Sequence, residues 1–206
     1  MKIGVTGTYC SGKNYIAALL EKRGFLVLDL DALGHSAIET KKTAIFARFT
    51  DELKKPDGSV DRRMLGKMVF GKDSEISALE AIVHPEVNRL TGEWINAHSQ
   101  KDCAIHAALL HKSAFYNQLD CIIIVQASIF TRLMRAKQRD RLSWLEIIRR
   151  FKSQKRFSTQ YLSKNADIYK VKNSGIGKSL GLAAIFKKTA KLDNQINTIL
   201  SKVEQK

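Results

Sequence analysis

Between a short β-prone run, Lys2 to Thr6, and a helical pattern with Ile16, Leu19 and Leu20 at i, i+3, i+4 spacing, the chain reads Gly7-Thr8-Tyr9-Cys10-Ser11-Gly12-Lys13. This is G-x-x-x-x-G-K, set at a strand-to-helix junction. Its glycines let backbone N–H groups turn inward around anionic oxygens. The helix that follows offers its positive N-terminal end to the same anion. Lys13 adds a full charge suited to the β- and γ-phosphates of ATP. Thr8, Tyr9, Cys10, Ser11, Gly12 and Lys13, with Asn14 and Tyr15 in the first helical turn, are therefore candidate ATP-binding residues. The pattern continues with Ser or Thr, whose hydroxyl binds Mg²⁺. Here the position is Asn14. An amide oxygen is an acceptable ligand for a hard cation, so Asn14 is the candidate metal residue. Direct coordination, a water-bridged contact and impaired metal binding all stay open.

The rest of the chain alternates strands with helices. Gly24 stops the first helix, Phe25 to Leu28 reads as a second strand, and Asp29-Leu30-Asp31 follow it. Residues 32–98 read as mostly helical: Pro56-Asp57-Gly58 marks a turn and Asp61 caps a helix carrying Met64, Leu65, Met68 and Val69. Another helix starts near Ser74, and Pro85 should kink or interrupt it just after His84. Strands return at Cys103 to Leu110, Cys121 to Val125 and Ile168 to Val171, with a capping box at Ser143 to Glu146 between the last two. The closing helix carries Ile196, Ile199, Leu200 and Val203 on one face. This order predicts an α/β fold with a parallel five-stranded sheet flanked by helices. One domain spans 1–206, with a helical acceptor-binding region over 32–98 and a lid over 128–160.

Functional residues in such sheets gather beyond the carboxyl ends of the strands. A carboxylate at Asp29 or Asp31 could take a proton from an attacking hydroxyl or hold Mg²⁺ through water. Alternatively, Asp31 simply caps the next helix. The cluster Arg132, Arg135, Arg139, Arg141, Arg149, Arg150 and Arg156 suits a lid that neutralises a transferring phosphoryl group, or a solvated basic face.

Composition narrows the partners. The formal net charge of +15 suits anionic ligands such as phosphorylated small molecules, nucleic acid or an acidic membrane. The basic residues are scattered and no aromatic stacking platform stands out, so no nucleic acid is expected. No apolar run spans a bilayer and no signal-peptide pattern opens the chain, so the expectation is a cytoplasmic protein without a membrane partner. The three cysteines, Cys10, Cys103 and Cys121, read as reduced thiols. A monomer or weak homo-oligomer is expected.

Taken together, the motifs resemble the dephospho-CoA kinase family of P-loop kinases. Gly4-Val5-Thr6-Gly7 through Lys13 is similar to that family's G-x-T-G-G-x-x-S-G-K-S, and Asp29-Leu30-Asp31 to its D-A-D. Asp57 to Gly66 resembles D-G-x-x-D-R-x-x-L-G, Leu79 to Pro85 resembles L-E-x-I-x-H-P, and Arg135 to Asp140 resembles R-x-x-x-R-D. Ala166-Asp167 and Asn173-Ser174-Gly175 resemble A-D…N-x-G. The likeness covers residues 3–177 in family order. It implies a P-loop NTPase fold and ATP- and Mg²⁺-dependent phosphorylation of the ribose 3′-hydroxyl of dephospho-CoA, a small-molecule partner. It also implies Asp31 as catalytic base, with Lys13 and Arg139 catalytic beside it. Arg135, Arg139 and Asn173 would join the ATP site, and Asp31, His35, His84 and Leu110 the acceptor site. The chain departs from the family at Asn14, at His35 where Arg is common, and at Ala107 to Lys112, where V-P-L-L-F-E is usual. A kinase for nucleosides or nucleoside monophosphates, and a catalytically impaired nucleotide or nucleic-acid binder, are the alternatives.

Overall fold

The computed structural model describes residues 1–140, 142–152, 167–174 and 182–205. Five strands form one sheet in the order β2-β3-β1-β4-β5. They are β1 (Lys2–Gly7), β2 (Leu26–Asp29), β3 (Cys103–His106), β4 (Cys121–Gln126) and β5 (Asp167–Lys172). β1 pairs in parallel with β3 on one side, Val5 opposite His106, and with β4 on the other, Val5 opposite Ile123. β4 pairs in parallel with β5, Val125 opposite Val171. Central parallel strands are covered on both faces, which is why Cys121 to Val125 is apolar and buried without alternation. The expected P-loop α/β architecture is thus the observed one.

The chain forms two compact units, Met1–Leu28 with Gln100–Lys206, and Asp29–Ser99. In the first, helices α1 (Lys13–Glu21) and α8 (Leu182–Glu204) contribute to one core. Ile16, Leu19 and Leu20 of α1 and Leu192, Ile196 and Ile199 of α8 pack with Ile3, Val5, Ile123 and Val125 of the sheet. α6 (Ile129–Asp140) and α7 (Trp144–Lys152) follow β4. The capping box that opens α7 is formed: Ser143 Oγ accepts from the Glu146 N–H at 3.3 Å, and Glu146 Oε2 accepts from the Ser143 N–H at 3.0 Å.

β3 ends at His106, short of the expected Leu110. Beyond it, Ala107 O accepts from the Thr6 side chain at 2.8 Å instead of continuing a ladder. The chain then turns through a short 3-10 helix, Leu110–Lys112. Leu110 is buried beneath Gly4, where an added Cβ would lie 2.7 Å from Leu110 Cδ2 and 2.7 Å from Leu119 Cδ1.

The second unit holds α2 (Leu30–Thr40), α3 (Lys42–Arg48), α4 (Arg62–Val69) and α5 (Asp73–Ala97). Its core gathers Ala37, Ile45, Leu53, Val60, Leu65 and Val83. Asp61 caps α4, accepting from the N–H groups of Arg63 and Met64 at 2.9 Å each. Pro85 does not end α5, which runs through it over its full 25 residues, Asp73–Ala97. Proline removes one N–H donor, yet Ile82, Val83 and Val87 on either side pack into the same core and keep the helix in register. Buried Glu86 accepts from Arg89 at 2.7 and 3.2 Å and pairs with Lys41 at 3.5 Å, tying α5 to the C-cap of α2.

Two stability results follow. Gly4→Ala overpacks the sheet against Leu110 and Leu119 and should lower unfolding free energy by about 1–3 kcal/mol in denaturant titrations. The Arg89 hydrogen bonds, opposed by burial and helped by the Arg89 and Lys41 charges, hold the Glu86 carboxyl below its ordinary pKa. A lowered carboxylate contributes stability above its unfolded-state pKa and loses it as pH falls through the folded value. Stability should therefore fall from neutral pH into the acid carboxylate range, and Glu86→Gln should flatten that slope.

Candidate phosphate-binding site

The loop from Gly7 to Lys13 leaves β1 and enters α1 with Gly12 as N-cap. Gly12 has φ +97°, a left-handed conformation. A Cβ there would lie 2.1 Å from Asn173 Nδ2, so glycine is required both by conformation and by space. Cys10 has φ +59°, the positive value among described non-glycine residues, a strain of roughly 1–2 kcal/mol. No side chain caps α1 and no acidic residue occupies its first turn, which leaves the helix N-terminus suited to an anion.

Three successive loop carbonyls are held from behind. Tyr9 O accepts from Arg132 Nε at 2.8 Å. Cys10 O and Ser11 O accept from Arg135 Nη1 at 3.2 and 2.9 Å. Ser11 O also accepts from Asn173 Nδ2 at 2.9 Å. In a trans peptide the next N–H points opposite to the carbonyl. Fixing these oxygens on one side therefore turns the N–H groups of Cys10 and Gly12 to the other. Ser11 N–H bonds within the loop, to Thr8 O at 2.9 Å. Burial lowers the pKa of both Arg132 and Arg135, but guanidinium stays charged in proteins. Arg135 also donates to Asn173 O and Oδ1 at 3.2 Å each, and Asn173 N–H donates to Gln126 O at 2.7 Å. The loop is thus fastened to residues just beyond β4 and β5.

Each predicted ATP residue of this unit has a definite place. Ser11 is fully buried against Gly7, and its Oγ has no hydrogen-bond partner among the described residues. Lys13 Nζ lies 3.3 Å from Asn14 Oδ1, and Asn14 is exposed. Tyr15 is exposed and its hydroxyl lies 3.1 Å from Thr189 Oγ1. Thr8 borders a cavity of about 850 Å³ floored by Ile124 and Val125 and walled by Leu133, Ile148 and Phe151. Lys13, Asn14, Arg135 and Arg139 are not among its lining residues, so cavity and loop meet at Thr8. Arg139 is exposed and pairs with Asp140 through Nε at 2.6 Å and Nη2 at 2.9 Å. Leu110 lies in the core beneath Gly4. Arg141, Arg156, Ala166 and Gly175 lie outside the described residues.

In the second unit, the helix following β2 starts at Leu30 rather than Ala32, and its cap is Asp29, not Asp31. Asp29 Oδ1 accepts from the N–H groups of Asp31 and Ala32 at 2.9 and 3.1 Å. Capping is therefore removed as the explanation of Asp31, which stands half-buried in the first turn of α2. His35 is exposed and His84 half-buried on α5.

Sequence reasoning missed the clamp on the loop carbonyls and the engagement of the Tyr9 side chain. The arginine cluster read as a lid or as a solvated basic face, whereas Arg132 and Arg135 meet loop backbone. Tyr9 donates its hydroxyl to Asp140. Burial, then this hydrogen bond, pushes the Tyr9 pKa up to about 12. Burial likewise raises the Cys10 thiol.

The family model and the curated relatives point to one family. The family model for dephospho-CoA kinase matches residues 1–177. A dephospho-CoA kinase of Treponema pallidum is 32% identical over 183 residues, spanning 84% of this chain and 87% of that protein. One from Thermus thermophilus is 36% identical over 152 residues, 74% of each chain. A crystal structure of a Thermus thermophilus protein superposes with a TM-score of 0.77 at 30% identity, covering 98% of this chain and 97% of that one.

Gly12→Ala forces a Cβ into Asn173 and removes the left-handed turn. Isothermal titration should show ATP affinity reduced at least about tenfold, with unchanged affinity contradicting the assignment of the loop.

Proposed function

The chain belongs to the dephospho-CoA kinase family and is a kinase, and from this premise we propose that it transfers the γ-phosphoryl group of ATP to the ribose 3′-hydroxyl of dephospho-CoA. The products are CoA and ADP, which makes the reaction the last step of CoA synthesis. The observation that carries the reading is the phosphate loop, with its left-handed Gly12 and its carbonyls held outward by Arg132, Arg135 and Asn173.

In this mechanism the N–H groups of the loop and the Lys13 ammonium hold the ATP phosphates. Asp31 accepts the proton of the 3′-hydroxyl as its oxygen attacks the γ-phosphorus. The bond from that phosphorus to the β,γ-bridging oxygen breaks, and ADP leaves. Arg139 meets the charge on the transferring group. His35 and His84 serve acceptor binding, and buried Leu110 supports the segment after β3 rather than offering surface of its own.

Mg²⁺ is the implied metal, and the donor set fits it as a partner of the nucleotide. Among the described residues no three His, Cys, Asp or Glu side chains converge to hold a metal, whereas the exposed Asn14 amide stands beside Lys13. Phosphate oxygens and water would complete the coordination, and the ion would neutralise charge on the β- and γ-phosphates. On this reading the chain works as one P-loop kinase domain, with 32–98 as acceptor region and 128–160 as lid, in the cytoplasm, as a monomer or weak homo-oligomer. Among the described residues no helix is long and apolar enough to cross a membrane.

An acceptor panel tests the substrate. ADP should appear with dephospho-CoA and stay at background with nucleosides and nucleoside monophosphates. The opposite pattern assigns the chain to the other acceptor class. Asp31→Asn should lower kcat by about 10²–10⁴ without loss of ATP binding, and activity equal to the parent removes Asp31 from the mechanism.

A further inference from the structure

The pattern G-x-x-x-x-G-K places no demand on its third position, yet the side chain there, Tyr9, makes ring, cation–π and hydrogen-bond contacts. The Tyr9 ring meets Phe151 of α7 edge-on, with centroids 5.8 Å apart. The guanidinium carbons of Arg139 and Arg150 lie 5.3 and 5.5 Å from its centroid, within cation–π range. Its hydroxyl donates to the Asp140 carboxylate. Asp140 in turn accepts from Arg139 at 2.6 and 2.9 Å, and Arg150 Nη1 stands 4.0 Å from it.

This arrangement fixes a cation that would otherwise be free to swing. Arg139 is an exposed side chain at the end of α6, with 62% of its surface accessible, whereas Asp140 retains 18%. Among the described residues, the carboxylate takes two of the five guanidinium N–H donors, leaving three for an anion. The carboxylate itself is located by the phenol of the phosphate loop. The raised phenol pKa, about 12, keeps that hydroxyl protonated as a donor throughout the neutral range.

We infer that Tyr9 is a positioning residue for phosphoryl transfer: its hydroxyl on Asp140 and its ring beside Arg139 set the direction in which Arg139 presents its remaining N–H groups. The inference rests on the reading of Arg139 as the cation that meets the transferring group. It adds a link from the phosphate loop to α6 that runs through a side chain, separate from the carbonyl clamp. Tyr9→Phe leaves that clamp and the ring contacts in place and removes only the hydroxyl.

The test is titration calorimetry in Mg²⁺ with ADP alone and with ADP plus aluminium fluoride, which stands in for the transferring group. Tyr9→Phe should weaken ADP–aluminium fluoride about tenfold, the size of one hydrogen bond to a charged group, and leave ADP alone within roughly twofold. Asp140→Asn should behave alike, and the double variant should lose no more than Asp140→Asn alone. With acceptor present, kcat of Tyr9→Phe should fall by a similar factor at unchanged KM for ATP. Equal loss of ADP alone would reduce Tyr9 to a structural cushion and overturn the inference. So would losses that multiply in the double variant, or parent-like binding by Tyr9→Phe. Arg139→Ala separates the two levels. If it weakens the analogue while Tyr9→Phe does not, the positioning role fails alone. If it leaves the analogue unaffected, the role of Arg139 fails, and the inference with it.

Discussion

A phosphate can be received by backbone N–H groups only if the neighbouring carbonyls are turned away and kept away. In this protein that condition is met by the outward hold on Tyr9 O, Cys10 O and Ser11 O from Arg132, Arg135 and Asn173. The carbonyls repel an anion, and unpaired they would each cost about 1–3 kcal/mol if buried. Two cations and an amide therefore satisfy them and orient the loop at once. The left-handed backbone at Cys10, a non-glycine residue, is the local strain this hold maintains. Functional strain of that kind persists only where surrounding structure over-determines it.

The sheet exists, in this sense, to bring three distant segments to one edge. β1 delivers the loop, β4 leads into α6 with its arginines, and β5 delivers Asn173. Register is set by uniformly buried residues: Val5 opposite Ile123, Val125 opposite Val171. The arginines then divide the work. Arg132 and Arg135 are half-buried and hold the loop carbonyls, whereas Arg139 stays exposed and hydrogen-bonds Asp140. The charge of +15 thus conceals different roles, some cations building the cradle and others facing what it holds.

Much of this was legible in the sequence because local rules coincide there. The loop pattern, the strand–helix alternation, the capping box at Ser143 and the cap at Asp61 each require residue types that only one backbone geometry explains. The readings that the structure narrowed or changed are those where tertiary contacts outweigh local preference. Pro85 sits inside α5 because flanking apolar side chains are buried. β3 stops early because Thr6 takes the Ala107 carbonyl. The cap of α2 falls on Asp29 rather than Asp31, a two-residue ambiguity that two nearby carboxylates cannot resolve from spacing. At the site, the motif announced an anion cradle, but not the arginine-to-carbonyl bonds behind it, since no spacing rule distinguishes a guanidinium aimed at backbone from one aimed at ligand.

On the proposed function, this cradle delivers a phosphoryl group to dephospho-CoA. The direct measurement follows ATP carrying a labelled γ-phosphate. On the present account, label appears in the 3′-phosphate of CoA in a one-to-one ratio with ADP, and only when dephospho-CoA is present. Folded protein that binds ATP but forms ADP at the same rate without acceptor, with no label in CoA, would contradict it.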